Sequence, residues 1–247
     1  DSTYSGEDKL LLSLIHYYRS EDELGNYYIN EYNQINPYDY RSFELIGDYY
    51  FKQDDYLSAL FNYKKSELIN KNSLYTLFRS SLCLYNLEYY QDVINFSKRI
   101  IKEDPYHKDA YYWSALSYLK INNYKKAIKN FTEHILLNPD NEEIYHYLGM
   151  AYFNIKEYNR ANEALTRYLK FNPENGEAHY YLGMINENIL ELEDAINNYT
   201  LARKFNSRLI DANLRLGLLH YKNKDYQRAL EPLRDYIIYN SDSINVL

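Results

Sequence analysis

HYLGMAYFN at residues 146–154 and YYLGMINEN at 180–188 share the tetrapeptide YLGM, displaced by 34 residues. With 33 tyrosines in 247 residues, a chance echo has to be excluded first. Set out with a period of 34, the chain gives seven rows without a gap: 6–39, 40–73, 74–107, 108–141, 142–175, 176–209 and 210–243. The eighth column reads Ser13, Gly47, Ser81, Ala115, Gly149, Gly183, Gly217, and the twentieth reads Gly25, Ala59, Val93, Ala127, Ala161, Ala195, Ala229. The thirty-first reads Asn36, Asn70, Asp104, Asn138, Asn172, Asn206, Asn240. Three such columns do not arise by chance, so 34 is a structural period.

Within a row, apolar residues recur at three- and four-residue spacing, as in Ile144, Tyr147, Leu148, Ala151 and Tyr152, which predicts an amphipathic helix. Tyr158, Ala161, Leu165, Tyr168 and Leu169 predict a second. The small residues of the eighth and twentieth columns let the two helices approach. Asn in the thirty-first column is expected to end the second helix in a left-handed conformation, with Pro37, Pro105, Pro139 and Pro173 preventing continuation. One helical pair cannot bury its apolar face alone, and stacking of pairs supplies the core.

These columns resemble the tetratricopeptide repeat (TPR) family. Row 142–175 carries its pattern in Tyr145, Leu148, Gly149, Tyr152, Ala161, Leu165 and Pro173, and row 108–141 in Tyr111, Ala115, Tyr118, Ala127, Phe131 and Pro139. The match is weakest in row 6–39, where Lys9, His16 and Gly25 depart from it, and Ser207 and Ser241 replace the proline in the last two rows. The resemblance implies an all-α fold, a right-handed superhelical solenoid of antiparallel helix pairs whose first helices line a concave groove. Residues 6–243 are expected to form this single solenoid, after a flexible tail at 1–5. Residues 244–247 would be the first turn of a further helix. Pro232 should kink the last second helix.

Composition narrows the function. Net charge is −7, against nucleic acid as a partner, because phosphate binding needs concentrated Lys and Arg. The acidity is concentrated in residues 1–60, which hold 12 acids and 4 bases. No apolar run approaches the roughly 18–20 residues of a spanning helix, so no membrane insertion of this chain is expected. The compartment stays open between the cytoplasm and a periplasmic or anchored location reached through a segment preceding Asp1. Cys83, the single cysteine, can form neither an intrachain disulfide nor a cysteine metal cluster, and its Leu82, Leu84 and Tyr85 neighbours predict a buried small hydrophobe. Six histidines show no metal-ligand spacing; His16, His134, His179 and His220 fall in packing columns. No nucleophile elbow, phosphate loop or dinucleotide fingerprint is present. Neither an enzyme nor a cofactor is expected.

In the TPR family, ligand-facing side chains come mainly from the second, fifth, ninth and twelfth positions of a repeat. The lysine-containing pairs by which TPR cochaperones grip acidic tails are replaced here by residues such as Leu10 and Leu14, or Tyr75 and Arg79. The resemblance therefore implies an apolar floor at Tyr112, Leu116, His146, Met150, Phe153, Tyr180 and Met184, flanked by the carboxylates Asp109, Glu143, Glu177 and Glu187. Such a groove suits a protein or peptide segment that is apolar and basic. Two alternatives stay open. The array is an assembly module, self-associating through residues 225–247, or it is the regulatory part of a larger, membrane-anchored protein.

Overall fold

The computed structural model describes residues 4–244, with side chains up to residue 239. Fourteen helices occupy it, and no strand occurs among the described residues. They are α1 (Gly6–Tyr18), α2 (Asp22–Ile35), α3 (Tyr40–Lys52), α4 (Tyr56–Ile69), α5 (Leu74–Asn86), α6 (Tyr90–Glu103) and α7 (Lys108–Lys120), then α8 (Tyr124–Leu137), α9 (Glu143–Asn154), α10 (Tyr158–Leu169), α11 (Gly176–Asn188), α12 (Leu192–Phe205), α13 (Ile210–Lys222) and α14 (Tyr226–Ile244). The chain divides into two compact units, residues 1–123 and 124–247.

Within each unit the two helices of a row pair antiparallel. In the first pair, Lys9 near the start of α1 binds Glu31 near the end of α2 at 2.8 Å, while Tyr17 at the end of α1 donates to Asn26 at the start of α2. At the glycines of the eighth column the small size has a specific reason: each lies beneath a large side chain eight residues into the second helix. A Cβ on Gly47 would stand 2.5 Å from the ring of Tyr63, and one on Gly149 would stand 2.4 Å from Leu165. Tyr63 and Leu165 are fully buried, so they have no space into which to retreat.

Every first helix ends the same way. Ser20, Asp54, Glu88, Asn122, Lys156, Leu190 and Lys224 all adopt the left-handed conformation, with φ between 57° and 66°. The residue after each donates its N–H to a carbonyl five positions back, as Glu157 does to Tyr152 at 2.9 Å and Glu191 to Asn186 at 2.9 Å. This is the Schellman termination, which satisfies the last helical carbonyls and reverses the chain in three residues.

The asparagine column works differently from its expected left-handed role. Asn36, Asn70, Asp104 and Asn206 have φ of −127°, −120°, −131° and −143°. Their carbonyls accept from the residue three positions on, as Asn36 accepts from Asp39 at 3.2 Å and Asn206 from Leu209 at 3.1 Å. The side chains of Asp104 and Asn206 accept from the amide two positions on. These residues open turns, for which Asn or Asp first and Pro second is the favoured chemistry. The turn's last residue caps the next helix: Ser73 accepts from Thr76 N, and Asn175 from Ala178 N.

The two ends depart from expectation. Ser5, placed in the tail, caps α1 through a reciprocal bond with Asp8; residues 1–3 lie outside the described residues. At the other end α14 passes through Pro232 and runs on to Ile244. Ile244 therefore belongs to the last second helix, and residues 245–247 of the predicted further helix lie outside the described residues.

Candidate functional site

In residues 124–247 the first helices α9, α11 and α13 carry the expected contact positions. Glu143 and Glu177 stand exposed in the first turns of α9 and α11. Met150, Phe153 and Tyr180 are half-buried, and Phe153 meets Tyr181 edge to face with ring centres 5.6 Å apart. A cavity of about 350 Å³ opens beside Tyr180, between Glu187 on α11 and Asp211, Leu214, Arg215 and Lys222 on α13.

Three expected residues are buried or already paired. Met184 is 9 % exposed and packs with Ala195, Tyr199, Leu216 and Leu219, so it belongs to the core joining α11, α12 and α13. Glu187 is not an open carboxylate: it accepts from Tyr199 Oη at 2.8 Å and pairs with Arg215 at 2.9 Å. His146 is buried against the ring of Tyr168, with centres 5.0 Å apart, and its Nε2 has no hydrogen-bond partner. Burial lowers its pKa, and the nearby Glu177 and Glu143 oppose that shift.

In residues 1–123, Asp109 and Tyr112 are half-buried on α7, whereas Leu116 is buried, at 8 % exposure. A cavity in this unit lies elsewhere, on the first helices α1, α3 and α5, and holds about 380 Å³. Leu10, Leu11, Leu14 and Leu45 supply its apolar lining, with Leu11 and Leu14 more than half exposed. Its polar wall is Glu7, Arg41, Glu44, Asp48 and Tyr75. These residues sit at the second, fifth, sixth and ninth positions of rows 6–39 and 40–73, and at the second of row 74–107. The signal for them was the leucine run LLLSL at 10–14 beside an acidic row, in the part of the chain where the repeat pattern is weakest.

Among the described residues no group of three or more His, Cys, Asp or Glu side chains could hold a metal ion. Cys83 is buried among Ala59, Leu84 and Val93, and burial pushes its thiol up to about 12, which removes its nucleophilicity. No helix among the described residues is long and apolar enough to cross a membrane.

Three tetratricopeptide repeat models match the sequence, at residues 108–141, 146–210 and 211–243, together more than half of the chain. The chain is a tetratricopeptide repeat protein. No curated protein matches it in sequence. Solved TPR structures match its fold. MamA from Desulfovibrio magneticus RS-1 superposes with a TM-score of 0.64 at 23 % identity, over 67 % of this chain and 94 % of that one. YrrB, described as a TPR protein with an unusual peptide-binding site, gives 0.62 at 20 % identity over 74 % and 94 %. PilF of Pseudomonas aeruginosa gives 0.66 at 12 % identity over 84 % and 94 %. At these identities the likeness is one of fold. The TPR assignment makes the chain a protein-interaction scaffold of stacked helix pairs.

Proposed function

We propose that this TPR scaffold binds a partner's apolar, basic segment on its first helices, among them α9 and α11. The observation that supports this reading is the pairing of two exposed carboxylates, Glu143 and Glu177, with half-buried Met150, Phe153 and Tyr180 on α9 and α11. Half-buried aromatic and thioether groups offer contact area at little further entropic cost, and a carboxylate row selects the charge of what lies along them. YrrB, as its description says, has a peptide-binding site; on this chain a peptide would meet these side chains.

The test is affinity capture from the source cells, comparing wild type with Glu143→Lys/Glu177→Lys. Both positions are exposed, so the variant should fold. Loss of the captured basic partners is expected; an unchanged partner set would remove the reading.

A second reading has one observation behind it. Leu230 on α14 is 70 % exposed, while Leu60 and Ile94, at the same repeat position, are 8 % and 0 % exposed. That apolar face, with Ile237 beside it, would serve self-association through residues 225–247. Light scattering over a concentration series tests it, with a strict monomer as the contrary result.

A further inference from the structure

On the reading that the first helices carry the contact surface, we propose that the cavity on α1, α3 and α5 seats a lysine or arginine of a partner protein, flanked there by aliphatic side chains. The site differs from the one expected at residues 109–187, and its chemistry follows from which carboxylate is left without a cation.

Three carboxylates line the cavity, and two are already neutralised. Glu7 pairs with Arg41 at 2.8 Å. Asp48 pairs with Arg79 at 2.8 Å and accepts hydroxyl bonds from Tyr63 at 2.6 Å and from Tyr75. Glu44 is different. Its Oε1 accepts from Ser73 at 2.8 Å, from Ser66 at 3.4 Å and from Thr76, all uncharged, and no cation pairs with it among the described residues. Three hydroxyls on one oxygen fix the side chain, and its other oxygen has no hydrogen-bond or ion-pair partner among the described residues. A carboxylate already held in place gives up little conformational freedom on binding, which is what preorganisation contributes to affinity.

The surroundings specify the rest of the ligand. Leu11 and Leu14 are 56 % and 52 % exposed at the mouth, next to half-buried Leu10 and Leu45. Leucines beside one unmatched carboxylate suit a side chain with a methylene stem and a cationic head, the shape of Lys and Arg. A volume of about 380 Å³ is near the lower end of ligand pockets, roughly 300–1,000 Å³. It accommodates a few side chains of an extended or helical segment. The excess of acids in residues 1–60, 12 against 4 bases, draws such a segment in. An acidic segment is disfavoured, because the cavity's cation, Arg41, is already committed to Glu7 and Asp39.

The experiment uses the whole chain with leucine methyl groups labelled for NMR. It is titrated with acetyl-LLRLL-amide and with the same peptide carrying citrulline, which keeps arginine's shape without its charge. The arginine peptide should shift the methyls of Leu10, Leu11, Leu14 and Leu45 saturably. Citrulline, or Glu44→Gln with the arginine peptide, should weaken binding about tenfold, the size of one charge-assisted hydrogen bond. The two losses should not add, since each removes the same ion pair. Leu14→Ala, at an exposed position, should also weaken binding whatever Glu44→Gln does to folding. Equal binding of the two peptides, or no shift at these leucines, overturns the proposal. Shifts confined to leucines of α9, α11 and α13 overturn it too, but leave the wider reading of the first-helix face standing. Self-association that Leu14→Ala abolishes would give the cavity to a second copy instead, which also overturns it.

Discussion

The Nε2 atom of His146 stands 3.9 Å from Oε2 of Glu177, and no hydrogen bond joins them. Around the ring, α9 contributes Glu143 and Tyr147, α10 contributes Tyr168, and α11 contributes Glu177. Burial holds the imidazole's pKa below its ordinary 6.5. The unfolded chain therefore takes up a proton at a pH where the folded chain does not. Stability falls as the pH drops through about 6.5 and levels off below the folded value. The melting temperature of wild type should fall more than that of His146→Gln between about pH 7.5 and pH 5. Parallel curves would mean that His146 is not the titrating group.

Gly183 lies under Tyr199, where a Cβ would stand 2.6 Å from two ring carbons. Tyr199 is fully buried and tied to Glu187 through its hydroxyl. Gly183→Val should cost about 1–3 kcal/mol in denaturant unfolding, the usual range for overpacking. Adding Tyr199→Ala should cost less than the two single losses combined, because the cavity it opens accepts the valine. Strict additivity would place the strain elsewhere.

The seven left-handed turn residues include none that favours that conformation as glycine does. Leu190, at φ 66° and 79 % exposed, is the one apolar side chain among them. Leu190→Gly should raise stability by about 0.5–1 kcal/mol, the left-handed penalty less glycine's greater unfolded freedom. A melting-temperature decrease would contradict it.

Ser97 sits in the core with its hydroxyl unpartnered, as does Ser80. Ser97 holds the position taken by Tyr63, Phe131 and Leu165 in other repeats. Removing a buried hydroxyl without a partner relieves a desolvation cost, so Ser97→Ala should be neutral or stabilising by up to about 1 kcal/mol. Chemical denaturation measures it; a clear loss would reveal a bond that this hydroxyl makes.

The repeat was legible because packing wrote it into side-chain size: Gly47, Gly149 and Gly183 are small beneath Tyr63, Leu165 and Tyr199. The left-handed turns left no trace in sequence, since Ser20, Asp54, Lys156 and Leu190 share no chemistry. Their conformation is imposed by the helices on either side. The asparagine column was visible, but its geometry was not: asparagine suits both a left-handed cap and the opening of a turn. Site residues were harder still. Met184 and Met150 share a column, yet Met184 is covered by α13 packing and Met150 stays half-exposed. Leu14 and Glu44 also lie in contact columns, but only the three hydroxyls around Glu44 reveal a fixed carboxylate without a cation.

The central claim is that partners meet the first-helix face. A photo-crosslinking residue placed at Tyr75 or Tyr180 reports a first helix of each unit, and one at Phe61 or Leu136 reports exposed positions on the second helices α4 and α8. In the source cells, discrete protein adducts should form from Tyr75 and Tyr180 and not from Phe61 or Leu136. Adducts arising from Phe61 and Leu136 alone would contradict the account.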